Sequence, residues 1–211
     1  MRIRPLLLLA PFLILHACVD GPAMQRPRVK PVSGADPVAL KICIGKLDRV
    51  VARYTLLPDQ TFSGGCSALG AVQLRDIGVP VTGITAMTCP LAHAFTQWVQ
   101  SDLQVPAMGE FGSAVVKVEA MGTYSCRPIA GTGRLSEHGS ANAIDVAAFV
   151  LANGRRVSVL DGWNGDEREA RFLKSVRASA CRRFNTVLSP DYNADHRDHF
   201  HFDMGRGPFC R

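Results

Sequence analysis

Four of the six histidines stand in two short segments whose residue types suit a catalytic zinc. The first segment is Ser136-Glu137-His138-Gly139-Ser140-Ala141-Asn142-Ala143-Ile144-Asp145. The second is Asp195-His196-Arg197-Asp198-His199-Phe200-His201-Phe202-Asp203. A catalytic zinc takes three protein ligands from His, Asp, Glu or Cys and keeps one position for water. His138, Asp145 and His201 can supply that set, and His199 or Asp198 is then left for proton transfer. The distance along the chain from His138 to Asp145 is about 23 Å if fully extended, at roughly 3.3 Å per residue. The chain must therefore fold back between them, and Gly139-Ser140-Ala141-Asn142 is built of residues that permit a turn. Asp145 lies among Ile144, Val146, Ala147 and Phe149, where a buried carboxylate needs a partner. A metal or capping backbone amides would serve. His199 and His201 alternate across Phe200, so in a strand both imidazoles face one side.

The elements that would carry these residues can be read from periodicity and breakers. Asp36-Pro37 fits an N-cap and first helical position, and Leu40, Ile44, Leu47 and Val51 recur at helical spacing to about Leu57. Short strands are expected at 72–74 and 79–84. Pro90 opens a second helix in which Leu91, Phe95, Trp98, Val99 and Leu103 share an apolar face. His93 falls off that face and reads as structural or surface. Val115, Val116 and Val118 form a strand expected to run through Gly122-Thr123-Tyr124 toward Cys126-Arg127. After a loop at 131–133 comes a strand at 144–151, a hairpin turn at Asn153-Gly154 and a partner strand at 157–160. A helix at 166–184 and strands at 187–188 and 200–202 complete an α+β pattern.

At the motifs the chain resembles two nested families. The wider is the zinc peptidase superfamily of lysostaphin-type endopeptidases, D-Ala-D-Ala carboxypeptidases and the hedgehog signalling domain. Ser136, His138, Ala143 and Asp145 match the first half of its pattern, and His199 and His201 the second. The narrower is the bacterial extensin-like C-terminal domain. Tyr124-Ser125-Cys126-Arg127, Ser136-Glu137-His138, Asn142-Ala143-Ile144-Asp145 and the run from Pro190-Asp191-Tyr192-Asn193 to Asp198-His199-Phe200-His201 look like that family, as does the cysteine pattern. The resemblance covers most of residues 40–210. It implies a hedgehog/D-Ala-D-Ala-peptidase-like fold, in which a small antiparallel sheet carries the zinc site and helices pack around it. It also implies Zn2+ on His138, Asp145 and His201, and an Arg127 that meets the substrate carbonyl or oxyanion. One branch of the superfamily uses the first His of His-x-His as base, the other an acidic residue three before the last ligand. This chain has both, as His199 and Asp198. His196 reads as a loop residue or a donor behind the ligands. Ser136 shapes the turn before His138, since no Gly-x-Ser-x-Gly elbow is present.

The remaining features bound the setting. Arg2 and Arg4 precede an apolar run at 6–15, and Ala17-Cys18 follows, as in a secretory leader. Leu15-His16-Ala17-Cys18 also resembles a bacterial lipobox, which makes Cys18 a lipidation candidate. Residues 1–18 are thus a leader, 19–35 a Pro- and Gly-rich tether, and 36–211 one domain. Six cysteines remain: Cys43, Cys66, Cys89, Cys126, Cys181 and Cys210. In an exported domain they suggest three disulfides, with Cys43–Cys66 and Cys181–Cys210 the favoured pairs. The net charge of +6 is mild and its basic residues are scattered, which gives nucleic-acid binding no support. The expectation is a monomeric, exported zinc metallopeptidase of the periplasm, membrane-anchored if Cys18 is lipidated. It would act on peptidoglycan stem peptides or cross-links. The alternative is a non-catalytic zinc module that binds the cell wall.

Overall fold

The computed structural model describes residues 34–50 and 52–211. The leader 1–18 with Cys18, residues 19–33 of the 19–35 tether and Val51 lie outside the described residues. In chain order the elements are α1 (Pro37–Leu47), β1 (Arg53–Leu56), β2 (Gln60–Thr61), β3 (Ser67–Ala68), β4 (Ala71–Asp76), β5 (Val81–Thr82), β6 (Met87–Thr88), α2 (Cys89–Gln97) and α3 (Gln104–Phe111). There follow β7 (Val115–Gly122), β8 (Ala143–Leu151), β9 (Arg156–Ser158), α4 (Val159–Gly162), α5 (Glu167–Ala180), β10 (Thr186–Leu188), β11 (Phe200–Asp203) and β12 (Phe209–Cys210). This is a mixed α+β fold.

The Asp36 carboxylate accepts from the amides of Val38 and Ala39, and Pro37 takes the first helical position, where its missing N–H costs nothing. Helix α1 ends at Leu47, ten residues before the end that the spacing of Leu40, Ile44, Leu47 and Val51 implied. Asp48 closes the helix, and the β-prone stretch around Tyr54 and Thr55 pairs antiparallel with β4 instead. Pairing partners distant in sequence decided that segment, and local periodicity carries no record of them. The expected strand at 79–84 is reduced to β5, and β9 gives way to the short α4 at Val159.

The main sheet has seven strands, in the order β12-β10-β11-β8-β7-β5, with β9 also on β8. Most neighbours are antiparallel, while β10·β12 and β5·β7 are parallel. Along β8 and β11 the side chains alternate between two faces. Ile144, Val146, Phe200 and Phe202 face the core and are fully buried. There Trp98 meets the rings of Phe149, Phe184 and Phe202 at centroid distances of 6.3, 6.2 and 5.1 Å. Its indole N–H donates to Ser179 Oγ on α5 at 2.8 Å, so the buried polar atom is satisfied. Leu91, Phe95, Trp98, Val99 and Leu103, the apolar face expected after Pro90, are all buried in this core. Each such side chain contributes about 1.5–3 kcal/mol by its removal from water. Asp145 and His201 therefore emerge on the face of the sheet opposite this core.

Three disulfides join Cys43–Cys89, Cys66–Cys126 and Cys181–Cys210. The Cys43–Cys66 pair expected from proximity along the chain is not formed. Helix α1 packs on α2, which brings Cys43 to the first residue of α2, and Cys66 is left for the segment after β7. Cys66–Cys126 closes a span of 60 residues. Chain-entropy reasoning gives such a loop about 4 kcal/mol. The double variant Cys66→Ser/Cys126→Ser is expected to lose about 2–4 kcal/mol of unfolding free energy in denaturant titration. An unchanged midpoint would contradict that role.

Candidate metal centre

Strand register brings the two halves of the ligand set together. His201 on β11 lies directly opposite Asp145 on β8, and its Nδ1 is 2.9 Å from Asp145 Oδ1. His138 arrives from a single 3-10 turn, Glu137–Ser140, at the entry to β8. Ser136 Oγ accepts from the amide of His138 at 3.3 Å, so this hydroxyl shapes the turn. Ala141 follows at φ 55, a left-handed conformation uncommon for alanine, and turns the chain back into β8. This is the reversal that the spacing of His138 and Asp145 required. Asn142 Nδ2 donates to Glu137 Oε2 at 2.7 Å, and Thr88 Oγ1 donates to Asn142 Oδ1 at 2.8 Å, which ties the turn to the start of α2. A side chain added at Gly139 would come within 2.8 Å of Leu135 Cδ1 and 3.2 Å of Cys66 Sγ. Glycine lets the turn seat against Leu135 and the disulfide without displacing either.

The protonation pattern follows from the partners. His138 Nδ1 lies 3.0 Å from the carbonyl of Thr123, which can only accept, so Nδ1 carries a proton and Nε2 is turned to Asp145. Strand β7 was expected to continue through Thr123 toward Arg127, but it ends at Gly122. The chain then wraps His138, with Ser125 N donating to the His138 carbonyl. His201 Nε2 donates to Asp203 Oδ2 at 3.0 Å, which turns Nδ1 toward Asp145 and His138. Burial disfavours a charge on His201, but hydrogen bonds and charge from Asp145 and Asp203 outweigh it and raise its pKa to about 9. Burial pushes the Asp145 carboxyl up, while hydrogen bonds from His138 and His201 prevail and hold it well below the usual carboxylate range.

His138, Asp145 and His201 are buried, and their ligand atoms lie within 4.8 Å of one another. His138 Nε2 is 3.1 Å from Asp145 Oδ2 and 3.2 Å from His201 Nδ1. Two donors each 2.0–2.1 Å from one ion at the tetrahedral angle stand about 3.3 Å apart. The two histidine nitrogens stand within a tenth or two of an ångström of that spacing, and two nitrogens with one carboxylate match zinc's donor preference.

His199, just before β11, points its Nε2 at the cluster, 3.6 Å from Asp145 Oδ1. Its Nδ1 donates to Asp198 Oδ1 at 2.9 Å, and this hydrogen bond lowers the Asp198 pKa. The Arg127 guanidinium lies 3.9 Å from Asp145 Oδ2 with about half its side chain exposed. His196 sits in a turn, with Nδ1 2.6 Å from Asn193 Oδ1 and its ring 5.1 Å from that of His199. Burial and the neighbouring His199 and His201 push its pKa down to about 4, so it is neutral near pH 7. His93 is half-buried on α2 and takes no part in the cluster. A cavity of about 880 Å³ opens over His199, His201 and Asp203, with Arg127 on its wall.

Asp203 had no assigned role in the sequence, although the alternation that linked His199 to His201 extends to it. It is buried and also accepts from the amide of Gly205 at 2.8 Å. Carboxylates that orient a ligating histidine typically contribute ten- to a hundred-fold in metal affinity. Asp203→Ala is expected to weaken zinc binding by about that factor in competition with a chelator. Equal affinity of variant and wild type would contradict the assignment.

Zinc binding should also depend on pH through His201. With a pKa of about 9, His201 is an imidazolium at pH 7 in the metal-free site. A ligating Nδ1 must be deprotonated, so binding releases that proton. Affinity should rise about tenfold per pH unit up to about 9 and then level off. Chelator competition at several pH values, corrected for the chelator's own protonation, checks this. A flat profile between pH 6.5 and 8.5 would contradict it.

The family model described as Extensin-like protein C-terminus matches residues 41–211. No curated protein and no solved structure matches the chain.

Proposed function

Because the chain belongs to the extensin-like C-terminal family over residues 41–211, and because its family segments carry a three-donor site whose His201 lines an open groove, we propose that it is an exported zinc metallopeptidase. Its substrates would be the peptide bonds of peptidoglycan stem peptides or cross-links. We place it with the lysostaphin, D-Ala-D-Ala carboxypeptidase and hedgehog group, whose motif it shares at Ser136, His138, Asp145, His199 and His201. The observation that carries the reading is the convergence of His138 Nε2, an Asp145 oxygen and His201 Nδ1 beside the His199 imidazole.

His138, Asp145 and His201 would hold the ion. When bound, zinc would acidify a water and polarise a carbonyl. His199 is the group placed to move the proton. Its Nδ1–H is committed to Asp198, which leaves the Nε2 lone pair facing the cluster. It would take a proton from the attacking water and give it to the leaving amine. Asp198 orients that ring and stabilises its charged form, so the two candidates for the base act as one unit. Arg127 stands at the mouth of the site, where its guanidinium can steady negative charge developing on the substrate oxygen.

One observation favours a second reading. At 3.6 Å from Asp145 Oδ1, His199 Nε2 is close enough to approach the ion as a fourth ligand. A site closed that way would be structural, and the domain a wall-binding module. Incubation of the zinc-loaded protein with muropeptides, with and without chelator, separates the two. Chelator-sensitive release of amino acids or of un-cross-linked peptides supports the peptidase. Binding to wall material with no cleavage supports the module.

A further inference from the structure

The walls of the groove carry arginines that the protein itself leaves uncommitted. Elsewhere on the described residues most guanidinium groups are engaged, and the exposed Arg49 and Arg211 are the exceptions. Arg53, Arg155, Arg156, Arg171, Arg177 and Arg183 pair with carboxylates. Arg75, Arg168, Arg182 and Arg197 donate to hydroxyl or carbonyl oxygens. The guanidinium groups of Arg134 and Arg206 likewise have no such partner among the described residues, and what separates them from Arg49 and Arg211 is that both line the groove that holds His199 and His201. They stand on separate segments. Arg134 lies on a hairpin closed by the Pro128–Leu135 bridge, and Arg206 on the loop from β11 to β12. Both loops are fixed by their backbones, through Ile129 N to the Arg134 carbonyl at 2.8 Å and Thr186 Oγ1 to the Arg206 carbonyl at 3.1 Å.

The groove's carboxylates do not offset this charge equally. Glu137 is held by Asn142, and Asp203 by His201 and Gly205 N, so both are turned to internal work. Asp195 is the groove carboxylate without such a partner among the described residues. Free positive charge on the walls thus exceeds free negative charge. The same walls expose apolar surface, with Ile129 and Leu135 on the hairpin side and Tyr192 and Phe209 packed edge to face on the other. A chain with small apolar side groups and free carboxylates complements such a surface.

We propose that Arg134 and Arg206 form an anion subsite of this groove and select a peptide that carries free carboxylates. This deepens the peptidase reading and rests on it for the identity of the groove. A guanidinium is suited to the task because its planar fork donates two parallel hydrogen bonds to one carboxylate. Arg127 is set apart by its contact with Asp145 and serves the reacting centre.

The test uses the zinc-loaded His199→Ala protein, so that turnover does not consume the ligand. Two muropeptide preparations are titrated by calorimetry, one with free carboxylates and one with those carboxylates amidated. Amidation is expected to weaken binding by about tenfold, the effect of one charge-assisted contact. Arg134→Gln and Arg206→Gln, each added to that protein, should reduce the preference with zinc content unchanged. In the otherwise wild-type enzyme they should raise KM and leave kcat nearly constant. Equal binding of the two preparations, binding of neither, or a preference that survives both substitutions would overturn the proposal. Preferential binding of the carboxylated peptide without cleavage by wild type would sink the peptidase reading and leave the anion subsite standing.

Discussion

His199→Ala is expected to lower muropeptide turnover by about a hundred- to ten-thousand-fold, the usual contribution of a positioned acid–base group, while one zinc per domain is retained. The His199 imidazole stands beside the ligand cluster, and its free Nε2 faces Asp145. Removing it leaves His138, Asp145 and His201 with their mutual contacts and with the supports of Thr123 and Asp203. Asp198→Asn should have a smaller effect, because the asparagine oxygen can still accept from His199 Nδ1 and hold the ring. A dead Asp198→Asn with an active His199→Ala would reverse the assignment of the base. Loss of zinc from His199→Ala would make His199 a fourth ligand and favour the structural reading.

His138→Ala should act one step earlier and more completely. It removes one of three donors, where losing an outer-shell partner already costs ten- to a hundred-fold in affinity. Zinc affinity is expected to fall by more than about a hundredfold, and turnover should fall with occupancy. The vacated space is also unfavourable. Asp145 would be left buried with one fewer hydrogen-bond donor, and an under-satisfied buried carboxylate destabilises the fold. Asp145→Asn should lose zinc similarly, and it also removes the carboxylate charge that faces His201 Nδ1 at 2.9 Å. Zinc measured at full stoichiometry in purified His138→Ala would contradict the ligand assignment.

Much of this site was legible from residue types and spacing. The fold-back between His138 and Asp145 follows from chain length alone, and the 3-10 turn with Ala141 in the left-handed region carries it out. Alternation along 199–203 placed His201 and the two phenylalanines on opposite faces, as β11 has them. Applied two residues further, the same rule would have brought in Asp203. Other parts left no local trace. The support for His138 Nδ1 is the backbone carbonyl of Thr123, which every residue type could offer. The register that sets His201 against Asp145 depends on pairing between strands far apart in sequence. The partner of Cys43 depends on how α1 packs on α2, and proximity along the chain pointed to Cys66 instead. Helix α1 stops early for a related reason. The pattern at Leu40, Ile44 and Leu47 is helical, but Tyr54 and Thr55 are recruited by β4.

The central claim is a single catalytic zinc on His138, Asp145 and His201. The most direct measurement is a zinc titration of the metal-free protein, with bound metal and muropeptide cleavage followed in the same samples. The account predicts that cleavage rises in proportion to bound zinc and reaches its plateau at one equivalent per domain. One equivalent bound with no cleavage at any point, or cleavage that proceeds at full rate before zinc is added, would contradict it.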